Sequence, residues 1–204
     1  MLQTRKTDGD TSWFVKDRFG LFIHWGLYSM GARHEWLRNA ERIPNEVYDE
    51  KYFKRFDPDL YDPKLWADAA AGAGMKYFVI TTKHHEGFCL WDSKLTDYKA
   101  PNTPARRDLL RPMVDAFRAR DMKVGLYHSI IDWHHPQYVL DNKNGPYRDH
   151  PDRLKMNEGR DQMKYADYLH GQVKELLTDF GKVDIMWFDF SFPDKESPHD
   201  FAKG

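Results

Sequence analysis

The chain has 204 residues, enough for one domain with its own core and with no need of a second. Its formal net charge is −1, and basic residues come only in short clusters such as Arg106-Arg107, so the clustered basic face of a nucleic-acid binder is missing. A single cysteine, Cys89, excludes an internal disulfide, no run of about 18 apolar residues is present to span a membrane, and the polar start MLQTRKTDGDTSW lacks the apolar centre of a signal peptide. The location expected on that ground is cytoplasmic, or secreted if the N-terminus is incomplete.

The first apolar run is GLFIHWG (20–26). Like KYFVITTKHH (76–85), KVGLYHS (123–129) and VDIMWFDF (183–190), it lacks polar alternation and reads as a strand covered on both faces. A short helix is expected to start near Pro44 and to bury Val47 and Phe53. Asp62-Pro63 supplies an N-cap and a proline at the first helical position, with Leu65, Trp66, Ala69 and Ala73 at helical spacing and Gly72 and Gly74 as a stop. After strand two, Asp108 can cap a helix whose face is Leu110, Met113, Val114 and Phe117. After strand three, the longest helix is expected over about 157–180, with Ala166, Leu169, Val173, Leu176, Leu177 and Phe180 on one stripe. The tail SFPDKESPHDFAKG is polar and unpatterned. It and residues 1–12 are expected to be flexible, the former from about 194.

The order of strands and helices implies a parallel sheet. HWG after strand one is not a Gly-rich phosphate loop, which disfavours a Rossmann fold. A (β/α)8 TIM barrel is favoured, because polar groups sit at the C-terminal end of every strand: His24, His84-His85, His128 and Asp189. Active sites of such barrels gather at that rim. Four strands make half of a barrel, and a full one needs about 250 residues. The chain is therefore expected to be the N-terminal half of a (β/α)8 catalytic domain, with self-association through open barrel edges as a consequence.

Asp189 is the sharpest signal, because a carboxylate within an apolar run is costly unless paired. It can cap the following segment or pair with an arginine, or it can serve as a rim nucleophile if its neighbours keep it ionised. The composition is rich in aromatics, with 7 Trp, 11 Tyr and 13 Phe beside 10 His. Such rings next to carboxylates and imidazoles suit a polyhydroxylated ligand, since ring faces stack on C–H faces while polar groups bind hydroxyls. His84 and His85 fit hydroxyl binding. A metal site would need further ligands such as Asp92, His128 or Asp132, and no HxH or HExxH spacing supports one, so neither metal nor cofactor is expected. His24 is a core histidine or a rim residue, Glu35 a rim hydrogen-bonder or a surface charge, and Trp36 a stacking platform or plain packing. The histidines of DWHHP (132–136) are read as shaping a loop, Glu86 as closing one, and Cys89 as packing.

WFVKDRFGLFIHWGLYS, GMKYFVITTKHHEGFCLWDS, DWHHP and IMWFDFSFP together resemble the alpha-L-fucosidase family, glycoside hydrolase family 29. The resemblance runs from about Trp13 to Pro193. It implies a (β/α)8 catalytic barrel, usually followed by a β-sandwich, that removes terminal alpha-linked L-fucose from a glycan with retention, through a covalent glycosyl-enzyme. It further implies Asp189 as the nucleophile with Trp187 lining the pocket, and His24, His84, His85, Glu35 and Trp36 as fucose binders. Where the family reads tyrosine-tyrosine-serine, this chain reads Tyr127-His128-Ser129, so Tyr127 and His128 join the substrate-binding set and His128 stands in for the second tyrosine. The family's acid/base comes from beyond strand four. Glu35 is the best local candidate for that second carboxyl, and the 204 residues alone are expected to be nearly inactive.

Overall fold

The computed structural model describes residues 11–190. The expectation of flexible ends therefore lies, Thr11 and Ser12 apart, outside the described residues, as does the 191–193 end of the last motif. Strands β1 (Gly20–Ile23), β2 (Tyr77–Lys83), β3 (Lys123–Ser129) and β4 (Ile185–Asp189) form one parallel sheet in the order β1-β2-β3-β4. Spatial order follows chain order without reversal. This is the winding of a (β/α)8 barrel, of which the sheet is an arc.

Helix α1 (Ser12–Asp17) precedes β1, and α2 (Leu37–Ala40), α3 (Asn45–Lys51) and α4 (Pro63–Gly72) lead to β2. Helix α5 (Leu110–Arg118) joins β2 to β3, and α6 (Arg153–Met156) and α7 (Gln162–Asp179) join β3 to β4. The caps behave as their chemistry dictates. Asp62 accepts from the Lys64 and Leu65 amides at 2.9 and 3.1 Å, and Asp108 accepts from the Leu110 and Arg111 amides, both at 2.8 Å. The predicted α5 face of Leu110, Met113, Val114 and Phe117 is fully buried, and Phe117 stacks on Phe78 of β2.

Four expectations are corrected. The longest helix begins at Gln162, not near 157: Asn157 turns its amide onto the Leu140 backbone and Gly159 takes a positive φ, so the chain restarts at Asp161, whose carboxylate caps α7. On that helix Leu177 is exposed while Leu176 is buried. In α3 it is Tyr48, not Val47, that faces inward, beneath the Arg38 guanidinium. Strands one and four are not covered on both faces either. Phe22, Trp187 and Phe188 are 40, 48 and 46% exposed, because β1 and β4 are the outer members of the described sheet. β2 and β3 are buried from their second residue onward.

The alternation of the strands divides the sheet. Phe78, Ile80, Val124 and Leu126 point to the helix layer and form the main core with Phe117, Leu110 and Leu176. Val79, Thr81, Gly125, Tyr127, Ser129, Trp187 and Asp189 share the other, concave side. Gly125 is required there: a Cβ would stand 2.7 Å from Val79 and 2.8 Å from the Phe78 carbonyl oxygen.

Candidate active site

The concave side collects the polar strand ends. In the β3–β4 register Tyr127 pairs with Trp187 and Ser129 with Asp189. Tyr127 and Asp189 therefore lie on neighbouring strands, on one face, two residues apart along the strand axis. The Tyr127 hydroxyl closes that offset and donates to Asp189 Oδ2 at 2.7 Å. Burial first, and then this bond and the charge of Asp189, push the Tyr127 hydroxyl pKa far up, so it stays a donor. Asp189 Oδ1 accepts from the Phe190 amide at 2.9 Å. The carboxylate is thereby held at both oxygens while remaining partly exposed.

Three imidazoles surround the pair. The ladder between β2 and β3 is irregular between Thr81 and Lys83, and the chain then turns at His84–Gly87 with Gly87 at φ 86°. That irregularity lets both adjacent histidines reach the concave side, which a regular strand would forbid. His84 packs on His24 and Tyr127, with ring centroids 5.6 and 5.7 Å apart. His85 brings Nε2 to 3.6 Å from Asp189 Oδ2. His24 stands 5.4 Å from the Tyr127 ring. Burial, then the mutual proximity of the imidazoles, lowers the pKa of His24 and lowers that of His85 well below its usual value.

Aromatic rings wall the arrangement. Trp36 lies 5.0 Å from His85, 5.4 Å from Phe190 and 5.6 Å from Trp133, and Trp187 contacts Phe22 at 5.2 Å. Glu35 borders a cleft of about 240 Å³ with His24, Tyr28 and His34, and its charge is felt by His24. A partly exposed carboxylate, imidazoles and indole faces on one concave surface can bind a compact polyol and present an oxygen nucleophile to it.

The chain matches the family model described as Alpha-L-fucosidase over residues 2–203.

The chain belongs to the alpha-L-fucosidase family.

It is 37% identical to the tissue alpha-L-fucosidase of Mus musculus over 194 residues, which is 87% of this chain and 40% of that protein. The alpha-L-fucosidase isoenzyme 1 from Paenibacillus thiaminolyticus superposes with a TM-score of 0.84 at 61% identity, over 89% of this chain and 42% of that one. An alpha-L-fucosidase of glycoside hydrolase family 29 from Bacteroides thetaiotaomicron gives a TM-score of 0.79 at 33% identity, over 94 and 43% of the two chains. The chain thus spans about two fifths of the length of these relatives.

The structure brings together His24, Glu35, Trp36, His84, His85, Tyr127, Trp187 and Asp189, all named from the alpha-L-fucosidase resemblance. It does not bring His128. That side chain points to the helix layer, where its Nδ1 lies 2.9 Å from Thr82 Oγ1 and its ring faces Trp91. The reason is strand parity: on β3, Tyr127 and His128 must face opposite ways. His128 therefore cannot stand in for a second tyrosine, and Tyr127 alone reaches Asp189. The donors weighed for a metal are likewise scattered. Asp92 pairs with Lys99, Asp132 with Lys83, and His128 is on the outer side. Among the described residues no group of three or more His, Cys, Asp or Glu is arranged to hold a metal ion. The DWHHP histidines shape their loop, their amides donating to Asp132 Oδ1 at 3.0 and 2.8 Å. Cys89 is buried, with its thiol pushed up to about 12 by burial.

Sequence reading passed over Tyr28, Trp133 and Ser129. Ser129 shares the parity of Tyr127, and that signal was available. Trp133 is placed by a loop and had no periodic signature.

Proposed function

We propose that this chain carries the nucleophile-bearing part of a retaining alpha-L-fucosidase site acting on a terminal alpha-linked L-fucose of a glycan. The observation that carries the reading is the Tyr127–Asp189 bond of 2.7 Å within a ring of imidazoles and indoles. An Asp189 oxygen attacks the anomeric carbon through an oxocarbenium-like transition state, and the bond to the aglycone oxygen breaks as an acid protonates that oxygen. Water then attacks the glycosyl ester, with the same acid/base group taking its proton and Asp189 leaving. His24, His84, His85 and Glu35 hold ring hydroxyls, and Trp36 and Trp187 face the sugar's apolar surface. The second carboxyl is assigned to the part of the family's length that this chain does not span. Retaining chemistry asks for one about 5–5.5 Å from the nucleophile.

Support for the two-step course comes from a relative. One structure of the Bacteroides thetaiotaomicron enzyme, at 33% identity and a TM-score of 0.79, is described as a trapped covalent intermediate with 2-fluoro-fucosyl fluoride. The same reagent tests the proposal here, because fluoride leaves without needing a proton from an acid. Mass spectrometry of the treated chain is expected to find one added 2-fluoro-fucosyl group on the peptide containing Asp189, and none in Asp189→Ala. A label on another residue, or an equal label in the variant, removes Asp189 from the role.

A further inference from the structure

Ser129 closes β3 on the concave side, and its hydroxyl oxygen has two neighbours at 2.7 Å: the Ile131 carbonyl oxygen and His85 Nδ1. A hydroxyl carries one proton. The carbonyl can only accept, so the Ser129 proton is committed to Ile131. The Ser129 oxygen then has only lone pairs to offer His85, and Nδ1 must be the protonated nitrogen. A neutral imidazole has one N–H, so Nε2 is left as a bare acceptor. That atom is buried, has no hydrogen-bond partner among the described residues, and faces Asp189 Oδ2 at 3.6 Å. The separation is too long for a direct hydrogen bond. The opposite tautomer would aim an N–H at Asp189 and leave the Ile131 carbonyl without the Ser129 proton.

We infer that Ser129 is a positioning residue that locks His85 as its Nδ1–H tautomer, so that Nε2 accepts a hydrogen bond from a ligand hydroxyl beside Asp189. Burial of the ring, which keeps it neutral, is consistent with this. His85 thus demands a donor at one position of the sugar and gives none to the nucleophile, which keeps Tyr127 as its side-chain donor. The ligand half of this inference rests on the fucose reading above; the tautomer half does not.

The test is long-range ¹H–¹⁵N NMR of the histidine-labelled chain, assigned with His85→Gln. His85 is expected to show a protonated Nδ1 and an unprotonated Nε2. Ser129→Ala is expected to shift the ring toward the Nε2–H form, and Ser129→Thr, which keeps the hydroxyl, to restore the first pattern. A protonated Nε2 in the unaltered chain overturns the inference, whatever the variants do, and so does an unchanged pattern in Ser129→Ala. For the ligand, L-fucose is titrated against its monodeoxyfluoro derivatives, which cannot donate at the substituted position. One derivative is expected to bind about tenfold more weakly than L-fucose, the effect of one lost hydrogen bond, and only its gap, unlike any at hydroxyls held by Glu35 or the other imidazoles, is expected to close in Ser129→Ala. Gaps that are all unchanged in Ser129→Ala overturn the acceptor role. A correct tautomer in a chain that binds no fucose overturns the fucose reading instead.

Discussion

Lys83 Nζ lies 3.4 Å from Asp132 Oδ2, with both side chains shut away from solvent on the helix side of the sheet. The pair ties the tip of β2 to the loop after β3, directly behind the turn that carries His84 and His85. Tyr165 completes it, its hydroxyl 3.3 Å from Nζ. Burial works to raise the Asp132 carboxyl, but Lys83, followed by His135 and His134, outweighs it and the net shift is downward. Removing one partner leaves the other charge buried alone. Lys83→Met is therefore expected to cost about 3–5 kcal/mol in urea denaturation. A loss below about 1 kcal/mol shows that the pair does not hold the two loops.

Tyr127 donates to Asp189 Oδ2, and Phe is its shape without the donor. A hydrogen bond to a charged group is worth about 1.5–3 kcal/mol, so Tyr127→Phe is expected to slow labelling by 2-fluoro-fucosyl fluoride by about 10- to 10²-fold. His128→Asn is expected to leave the labelling rate within about twofold, because that side chain faces the helices. A larger slowing in the second variant than in the first reverses the assignment.

Acid sensitivity follows from the buried imidazoles. The pKa values of His85 and His128 are lowered well below 6.5, in both cases chiefly by burial. Between those lowered values and 6.5 the unfolded chain binds more protons than the folded one. Stability is therefore complete above about 6.5 and falls as pH drops, by up to about 1.4 kcal/mol per pH unit for each group. Urea midpoints taken from pH 7 to pH 5 are expected to decline, and to decline less steeply in His128→Asn. A flat profile across that range contradicts the neutral assignment of both rings.

Among the described residues the outer strands β1 and β4 carry apolar side chains and have no partner strand on their open sides. Phe22 of β1 and Trp187 and Phe188 of β4 are largely exposed. Such edges pair readily with other chains. We expect the 204-residue chain to associate with itself in a concentration-dependent way in sedimentation, and Phe188→Lys to weaken that association. A strictly monomeric chain at high concentration counts against open edges in solution.

Much of this molecule was legible in one dimension. Local chemistry fixed the caps at Asp62 and Asp108, the buried face of α5 and the four strands, because capping and periodicity depend on residues three or four apart. The break before α7 was not legible, since it depends on Asn157 reaching the Leu140 backbone across 17 positions of chain. The apolar run around Asp189 announced an unusual carboxylate, and strand parity alone would have turned His128 away from it. What only the tertiary structure decided was the company of that carboxylate. The hydroxyl of Tyr127, 62 residues away, and Nε2 of His85, from the turn after β2, converge there through sheet register and one irregularity in the β2–β3 ladder. Register is a relation between strands, and no single strand's sequence contains it.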